Sequence, residues 1–421
     1  MITAKSEAAL RAQAERLTAM VDGDLTAVAS SLAAGRARFD HRAVVIGSRP
    51  DELLAGLNAL AAEESVPGLI RGTAGVTGKR VFVFPGQGSQ WVGMAGELWE
   101  SCAVFAEQME ACEVALAPYT GWSLREVVGD REALERVEVV QPVLFAVMVS
   151  LARVWQWLGV EPDAVVGHSQ GEIAAAYVAG ALSLEDAARV VAVRSRVLRA
   201  VAGRGAMASV SLLSGGGAGS VGGRVSVAVV NGPVATVVAG EVGAVVGVVS
   251  ECEVLGVRAR RIEVDYASHS VHVEAVEEEL GALLGEVVAV SGRVPFYSTV
   301  TGSVLDTAGL DGGYWYRNLR RPVEFERAVR GLVADGHRVF VEVSPHPVLT
   351  VGVQQILEAV EVEGVVSGTL RRGEGGLRRV VGSVAGVYSQ GVGVDWGPLV
   401  GGRAGWICRR MPSSGSGIGW S

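Results

Sequence analysis

The stretch with the clearest chemical potential is Gly167-His168-Ser169-Gln170-Gly171. A short apolar run, Ala164–Gly167, leads into it, and an Ala-rich helical stretch, Glu172–Ala179, follows. Gly-x-Ser-x-Gly between a strand and a helix is a nucleophile-elbow pattern. The small residues two positions either side of the serine let the backbone turn sharply and project its hydroxyl. The turn also leaves the Gln170 amide at a helix N-terminus, where N–H and dipole together can stabilise an oxyanion. Alone, the pentapeptide is equally compatible with a surface turn, because glycine-rich chains produce it by chance.

A seryl nucleophile needs a base. The chain has six histidines. His168 adjoins the serine and faces the wrong way, while His41 and His337 read as surface residues. His269, in Asp265-Tyr266-Ala267-Ser268-His269-Ser270, sits at a domain junction, where pockets concentrate. His272 and His346 are its rivals. Read alone, Arg194 is a solvated charge on a helix face.

The elements that must position these groups have an α/β texture. Residues 1–78 read as a small helical and extended unit, with a helix over Ser6–Leu17, a strand at Arg42–Gly47 and a helix over Arg49–Ala62. A buried strand, Arg80–Phe84, then runs into the turn-rich Pro85–Gln90, and helices including Gln141–Leu158 follow. Strand, sharp turn and helix in succession make an α/β layer. Residues 207–270 hold short β-rich runs around one helical stretch, Val242–Cys252, and read as an inserted subdomain. The α/β pattern resumes over 271–360, so that 79–206 and 271–360 form one large unit. Residues 361–421 read as a trailing linker with one helix, Gly375–Gly391.

Bulk composition excludes several classes. Apolar residues make up 49% and charged residues 19%, which supplies a core and rules out global disorder. A net charge of −8 argues against non-specific nucleic-acid binding. The four cysteines form no C-x-x-C pair, so neither a zinc site nor a disulfide framework is expected, and a reducing cytosol fits best. Apolar runs such as Val143–Ala152 are too short to span a bilayer, and Met1 opens no signal peptide.

Four motifs in order now carry a resemblance: Phe84-Pro85-Gly86-Gln87-Gly88-Ser89-Gln90, Val139-Val140-Gln141-Pro142, Gly167-His168-Ser169-Gln170-Gly171-Glu172 and Tyr266-Ala267-Ser268-His269. Together they resemble the acyltransferase domain of modular type I polyketide synthases, relatives of the malonyl-CoA:acyl-carrier-protein transacylases. The resemblance implies an α/β-hydrolase-like large subdomain, an inserted ferredoxin-like small subdomain (207–270), and a preceding α+β linker (1–78) like that following a ketosynthase.

It also implies roles. Ser169 is similar to the family's nucleophile and His269 to its base, a dyad without an acidic third member. The amides of Gln87 and Gln170 match the oxyanion hole. Arg194 matches the clamp for the substrate's free carboxylate, and Gln141 and Asn231 match positions lining the cleft. Asn318 sits where the family places the main-chain carbonyl that orients the histidine. The implied reaction loads an acyl group from CoA onto serine and passes it to the phosphopantetheine thiol of an acyl carrier protein, with no metal or redox cofactor. Tyr266, Ser268 and Gln170 resemble methylmalonyl-selecting members; malonyl-selecting ones usually carry His-Ala-Phe-His in place of residues 266–269. One methyl is worth about 1–3 kcal/mol in a pocket, so the expected preference is real but leaky, with ethylmalonyl and malonyl as alternatives. An α/β serine hydrolase or thioesterase is the rival class. Arg258, Arg260 and Arg261, or Arg320 and Arg321, are candidates for docking an acidic carrier.

The tail departs from the family. Its trailing linker normally ends in a segment like Leu-Pro-Thr-Tyr-Ala-Phe-Gln-Arg-x-Arg-Tyr-Trp, whereas here Gly405–Trp420 has no likeness to it. A codon choice exists whose shifted frame restores that ending, so a frameshift near residues 400–405 is expected, with an aberrant tail from about 402.

Overall fold

The computed structural model describes residues 1–21, 23–34, 37–211 and 223–400. The tail expectation therefore lies outside the described residues. Three sheets organise the rest. Strands β1 (Ile2–Ala4), β2 (His41–Val45) and β3 (Leu69–Thr73) pair antiparallel in that order. Helices Glu7–Thr18 and Pro50–Ala61 cover them, the first capped by the Ser6 hydroxyl accepting from the Ala9 amide.

β4 (Lys79–Phe84) and β5 (Ala164–Gly167) begin a central sheet. The chain leaves it for a four-stranded sheet of β6 (Ala206–Val210), β7 (Val225–Gly232), β8 (Ala235–Gly240) and β9 (Ala259–Arg261). It returns with β10 (Phe296–Ser298), β11 (Ser303–Leu305), β12 (His337–Glu342) and β13 (Val365–Gly368). The central order is β11-β10-β5-β4-β12-β13, parallel throughout except the edge strand β11. β4 shows why this sheet is interior: Phe82 and Phe84 point into one core cluster and Val81 and Val83 into the other. A parallel strand covered on both faces reads as a continuous apolar run.

The small sheet is antiparallel, in the order β7-β8-β6-β9, with helix Val242–Val254 between β8 and β9. Counted from its own first strand, that order is 2-3-1-4, the ferredoxin-like arrangement. The fold is thus an α/β-hydrolase-like sheet with a ferredoxin-like insertion. One boundary needs correction. A linker beginning at 361 cuts off β13, which pairs with β12 from Val339↔Val365 to Glu342↔Gly368 and closes the central sheet. Only Val365 and Val366 of its four residues are apolar, so the run does not announce a strand.

Helix Val137–Trp157 is long and apolar enough to cross a membrane, but 89% of its apolar window is buried inside the protein. It is the central core helix.

Candidate active site

Ser169 sits where β5 turns into helix Gly171–Val178. Its φ is 53°, a left-handed conformation that a non-glycine residue adopts at a cost of about 1–3 kcal/mol. The flanking glycines explain how the turn closes. A Cβ on Gly167 would lie 2.2 Å from the Glu172 nitrogen, and one on Gly171 would lie 2.1 Å from the Phe84 oxygen. The His168 amide donates to the Phe84 carbonyl at 2.8 Å, locking the turn to the end of β4.

His269 meets the serine from the other side. Its Nε2 is 2.9 Å from Ser169 Oγ, across 100 residues of sequence. It too is left-handed, with φ 59°. Its amide donates to the Leu319 carbonyl at 2.9 Å, and its Nδ1 lies 2.8 Å from the Arg321 carbonyl. A carbonyl can only accept, so Nδ1 carries the proton and Nε2 offers its lone pair to the serine hydroxyl. Burial, and then the nearby Arg194 charge, push the imidazole pKa down to about 3. It is therefore neutral at neutral pH, the form a base needs.

Asn318 requires a correction. The carbonyl that faces His269 is that of Arg321, just beyond the end of helix Gly312–Arg320. Arg321 is extended, with ψ 156°, which turns its carbonyl away from the helix axis. Asn318 instead donates through Nδ2 to the Ser169 carbonyl at 3.1 Å and to Glu172 Oε2 at 2.9 Å.

Arg194 lies on helix Leu184–Val197 and is 1% exposed. One terminal nitrogen donates to Gln141 Oε1 at 2.9 Å and the other to Ser169 Oγ at 3.1 Å. Its Nε has no partner, and among the described residues it makes no ion pair. Desolvation lowers its pKa to about 10, which leaves it cationic at neutral pH. A buried cation without a carboxylate is costly unless a ligand supplies one.

The other expected residues distribute as follows. Gln87 accepts from the Tyr266 hydroxyl through Oε1 at 2.9 Å, tying the Pro85–Gln90 loop to the segment that carries His269. Buried Ser268 points its hydroxyl at Met207 Sδ, 3.7 Å away. Gln170 is 1% exposed, and neither side-chain amide atom has a partner. Asn231 reaches His168 rather than the serine: its Oδ1 is 2.9 Å from His168 Nε2. β7 presents it there by docking alongside Val323, the Val230 amide donating to the Val323 carbonyl at 2.9 Å. Of the rival histidines, His346 Nδ1 accepts from the Arg372 amide at 3.3 Å. His337 is not a surface residue: it is 3% exposed, packs edge-on against Tyr297, and its Nδ1 faces the Leu332 carbonyl.

Glu172 was not singled out by its sequence context. It is fully buried, and its carboxylate takes hydrogen bonds from the Thr299 amide, Tyr314 and Asn318, with the Thr299 hydroxyl shared between it and a neighbouring carbonyl. The Thr299 hydroxyl also lies 3.0 Å from the Gly167 carbonyl. Both ends of the elbow, Gly167 and Ser169, thus lean on one hub. A lone glutamate at the head of the apolar run Ile173–Val178 was the available signal.

Comparison with known proteins agrees with this geometry. Residues 81–392 match the acyl transferase domain family. The chain is 52% identical over 413 residues to the mycoketide-CoA synthase of Mycobacterium tuberculosis, and 51% identical over 413 residues to a pikromycin polyketide synthase component of Streptomyces venezuelae. These alignments cover 94% and 95% of the chain but only 10% and 11% of those relatives. Among solved structures, the acyltransferase domain from module 8 of the salinomycin polyketide synthase is 49% identical, with a TM-score of 0.90 over 94% of this chain and 96% of that one. The malonyl CoA-acyl carrier protein transacylase of Coxiella burnetii is 26% identical, with a TM-score of 0.66 over 73% and 98%.

Proposed function

Because the chain belongs to the acyl transferase domain family, we propose that Ser169 is its nucleophile and loads a carboxylated extender unit, methylmalonyl, from CoA for transfer to a carrier-protein thiol. The observation that carries this is the buried Arg194 guanidinium, 3.1 Å from Ser169 Oγ and in no ion pair among the described residues. A cation so placed suits an acyl group that ends in a free carboxylate. Ser169 attacks the thioester carbonyl, His269 Nε2 takes the hydroxyl proton, and the Gln87 and Gln170 amides receive the oxyanion. CoA leaves with that proton as its thiol. In the second half-reaction His269 deprotonates the phosphopantetheine thiol, which attacks the seryl ester and frees Ser169.

The partners proposed are an acyl carrier protein and, in a longer synthase, an adjacent ketosynthase; the polyketide synthases named above are relatives that this chain spans only in small part. Exposed Arg258, Arg260 and Arg261, the latter two on the edge strand β9, support a basic docking face, whereas Arg320 is already paired with Glu274 at 2.8 Å. For the side chain of the extender, support comes from Ser268, a serine where malonyl-selecting members carry a bulkier phenylalanine, in contact with Met207. Intact-mass measurement after incubation with a panel of acyl-CoAs tests the proposal. Acylation of Ser169 fastest by methylmalonyl-CoA is expected, and Ser169→Ala should abolish the adduct. Equal rates for malonyl- and methylmalonyl-CoA would sink the methyl preference. A hydrolase is disfavoured by His269 Nδ1, which faces a backbone carbonyl and not a carboxylate.

A further inference from the structure

The parallel register of the central sheet brings several loops to one edge. Phe84 is level with Gly167, Val83 with Glu342, and Glu342 with Gly368. The loops that leave β5, β4, β12 and β13 therefore emerge side by side at the carboxyl ends of the strands, where ligands of α/β sheets bind. The first carries Ser169, the second Gln87 and Gln90, the third His346, and the fourth Arg371 and Arg372. Strands β5 and β13 are three spacings apart, about 14 Å at ~4.8 Å per strand, a distance that an extended pantetheine arm spans.

The fourth loop is a tight hairpin. The Glu374 amide donates to the Arg371 carbonyl at 2.7 Å, and Gly373 supplies a φ of 79°. Its root is fixed by buried Thr369, which accepts from Trp155 Nε1 at 2.9 Å and donates to the Glu342 carbonyl at 2.8 Å. Its tip leans on its neighbours: the Arg372 amide donates to His346 Nδ1, and the Arg372 guanidinium reaches the Gln90 carbonyl at 3.4 Å. Both arginines are exposed, and among the described residues neither forms an ion pair. The carboxylates beside them are occupied or turned aside: Glu374 pairs with Arg379 at 3.5 Å, and Glu97 lies against the Gly376 backbone. On a chain of net charge −8, two exposed guanidiniums that form no ion pair among the described residues, at the same sheet edge as the nucleophile, are a distinct feature.

We propose that Arg371 and Arg372 form a phosphate site that holds the phosphate end of a pantetheine thioester whose acyl end lies at Ser169. The proposal rests on the acyl-transfer function inferred above. Guanidinium forks match phosphate oxygens bidentately, which a lone lysine cannot do. The ligand phosphate has two sources, CoA and the 4′-phosphopantetheine of a carrier, and the position of the site serves either.

The test measures acylation of Ser169 by the same acyl group on three donors: CoA, 4′-phosphopantetheine, and pantetheine without phosphate. The reading is the ratio of kcat/KM for each phosphorylated donor to that for acyl-pantetheine. The wild-type chain should favour the phosphorylated donors at least tenfold, and the Arg371→Ala/Arg372→Ala double variant should collapse that ratio towards one. Collapse for both donors assigns the site to the shared 4′-phosphate, and collapse for CoA alone assigns it to the nucleotide phosphates. Arg372→Lys, which keeps the charge but loses the fork, should retain only part of the ratio. A wild-type ratio near one, or a ratio unchanged in the double variant, overturns the proposal, even if all rates fall together through damage to the loop. Failure of every thioester to acylate the wild-type chain would count instead against the acyl-transfer function itself.

Discussion

Arg194, Ser169 and His269 form a chain of complementary polarity. Arg194 donates to the serine oxygen, and the serine hydroxyl proton is then directed to Nε2. Removing the guanidinium should harm carboxylated substrates selectively. Arg194→Ala is expected to slow acylation by methylmalonyl-CoA about a hundredfold, as expected for loss of one partner of a buried charge pair, while acylation by propionyl-CoA falls far less. Competition between the two thioesters, read by intact mass, checks this; equal losses would show that Arg194 serves the serine and not a substrate carboxylate. The His269 environment also sets a pH dependence. Its pKa is lowered to about 3, so the base stays unprotonated as pH falls through the ordinary histidine range. The kcat/KM for acylation should therefore stay level from pH 8 down to about 5, where an imidazole of pKa 6.5 would already have cut it more than tenfold. A break near pH 6.5 would contradict the buried, neutral state.

The elbow is an element whose strain is held by distant groups. Gly171→Ala would drive a Cβ into the Phe84 carbonyl, and a loss of more than about 2 kcal/mol in stability is expected by chemical denaturation. The hub is subtler. Glu172 takes hydrogen bonds from Thr299 and Asn318, and these hold the Gly167 and Ser169 carbonyls. Glu172→Gln and Asn318→Ala should each slow acylation about ten- to a hundredfold through misplacement of the hydroxyl, leave KM nearly unchanged, and fail to add when combined. Additive losses would separate the two residues. What the sequence made legible follows the same division. The elbow was readable because its glycines are local, His269 because it stands in a motif, and Arg194 only by its match to a position of the resembling family. Glu172's partners were not, since they arrive from 127 to 146 residues away. The Arg321 carbonyl has no residue-type signature, so that role was assigned three positions early, to Asn318. β13 was lost to the linker because its Ser367 and Gly368 leave an apolar run of only two residues.

At the scale of the whole molecule, a helix near the end of the described chain fastens the first unit to the large one. Helix Leu377–Ser389 packs against β2 and β3, and the chain beyond it returns to the central helix, the Asp395 amide donating to the Leu158 carbonyl at 2.8 Å. Arg42 of β2 is the clasp. It is 9% exposed, donates to the Tyr388 carbonyl at 2.8 Å, and lies 4.8 Å from the Tyr388 ring centroid. Tyr388 in turn packs edge-on against Trp396 at 5.4 Å. A charged hydrogen bond and a desolvated cation–π contact together suggest that Arg42→Ala costs about 2–3 kcal/mol. None of these residues touches Ser169, His269 or Arg194. The expected outcome is therefore a lower denaturation midpoint with acylation of the folded enzyme within about twofold of wild type, since stability and catalysis are separable at remote sites. Urea unfolding followed by tryptophan fluorescence, paired with intact-mass acylation rates in buffer, measures both. An unchanged midpoint would place the fastening elsewhere on the β3 face, and a collapsed acylation rate would mean that the first unit supports the site directly.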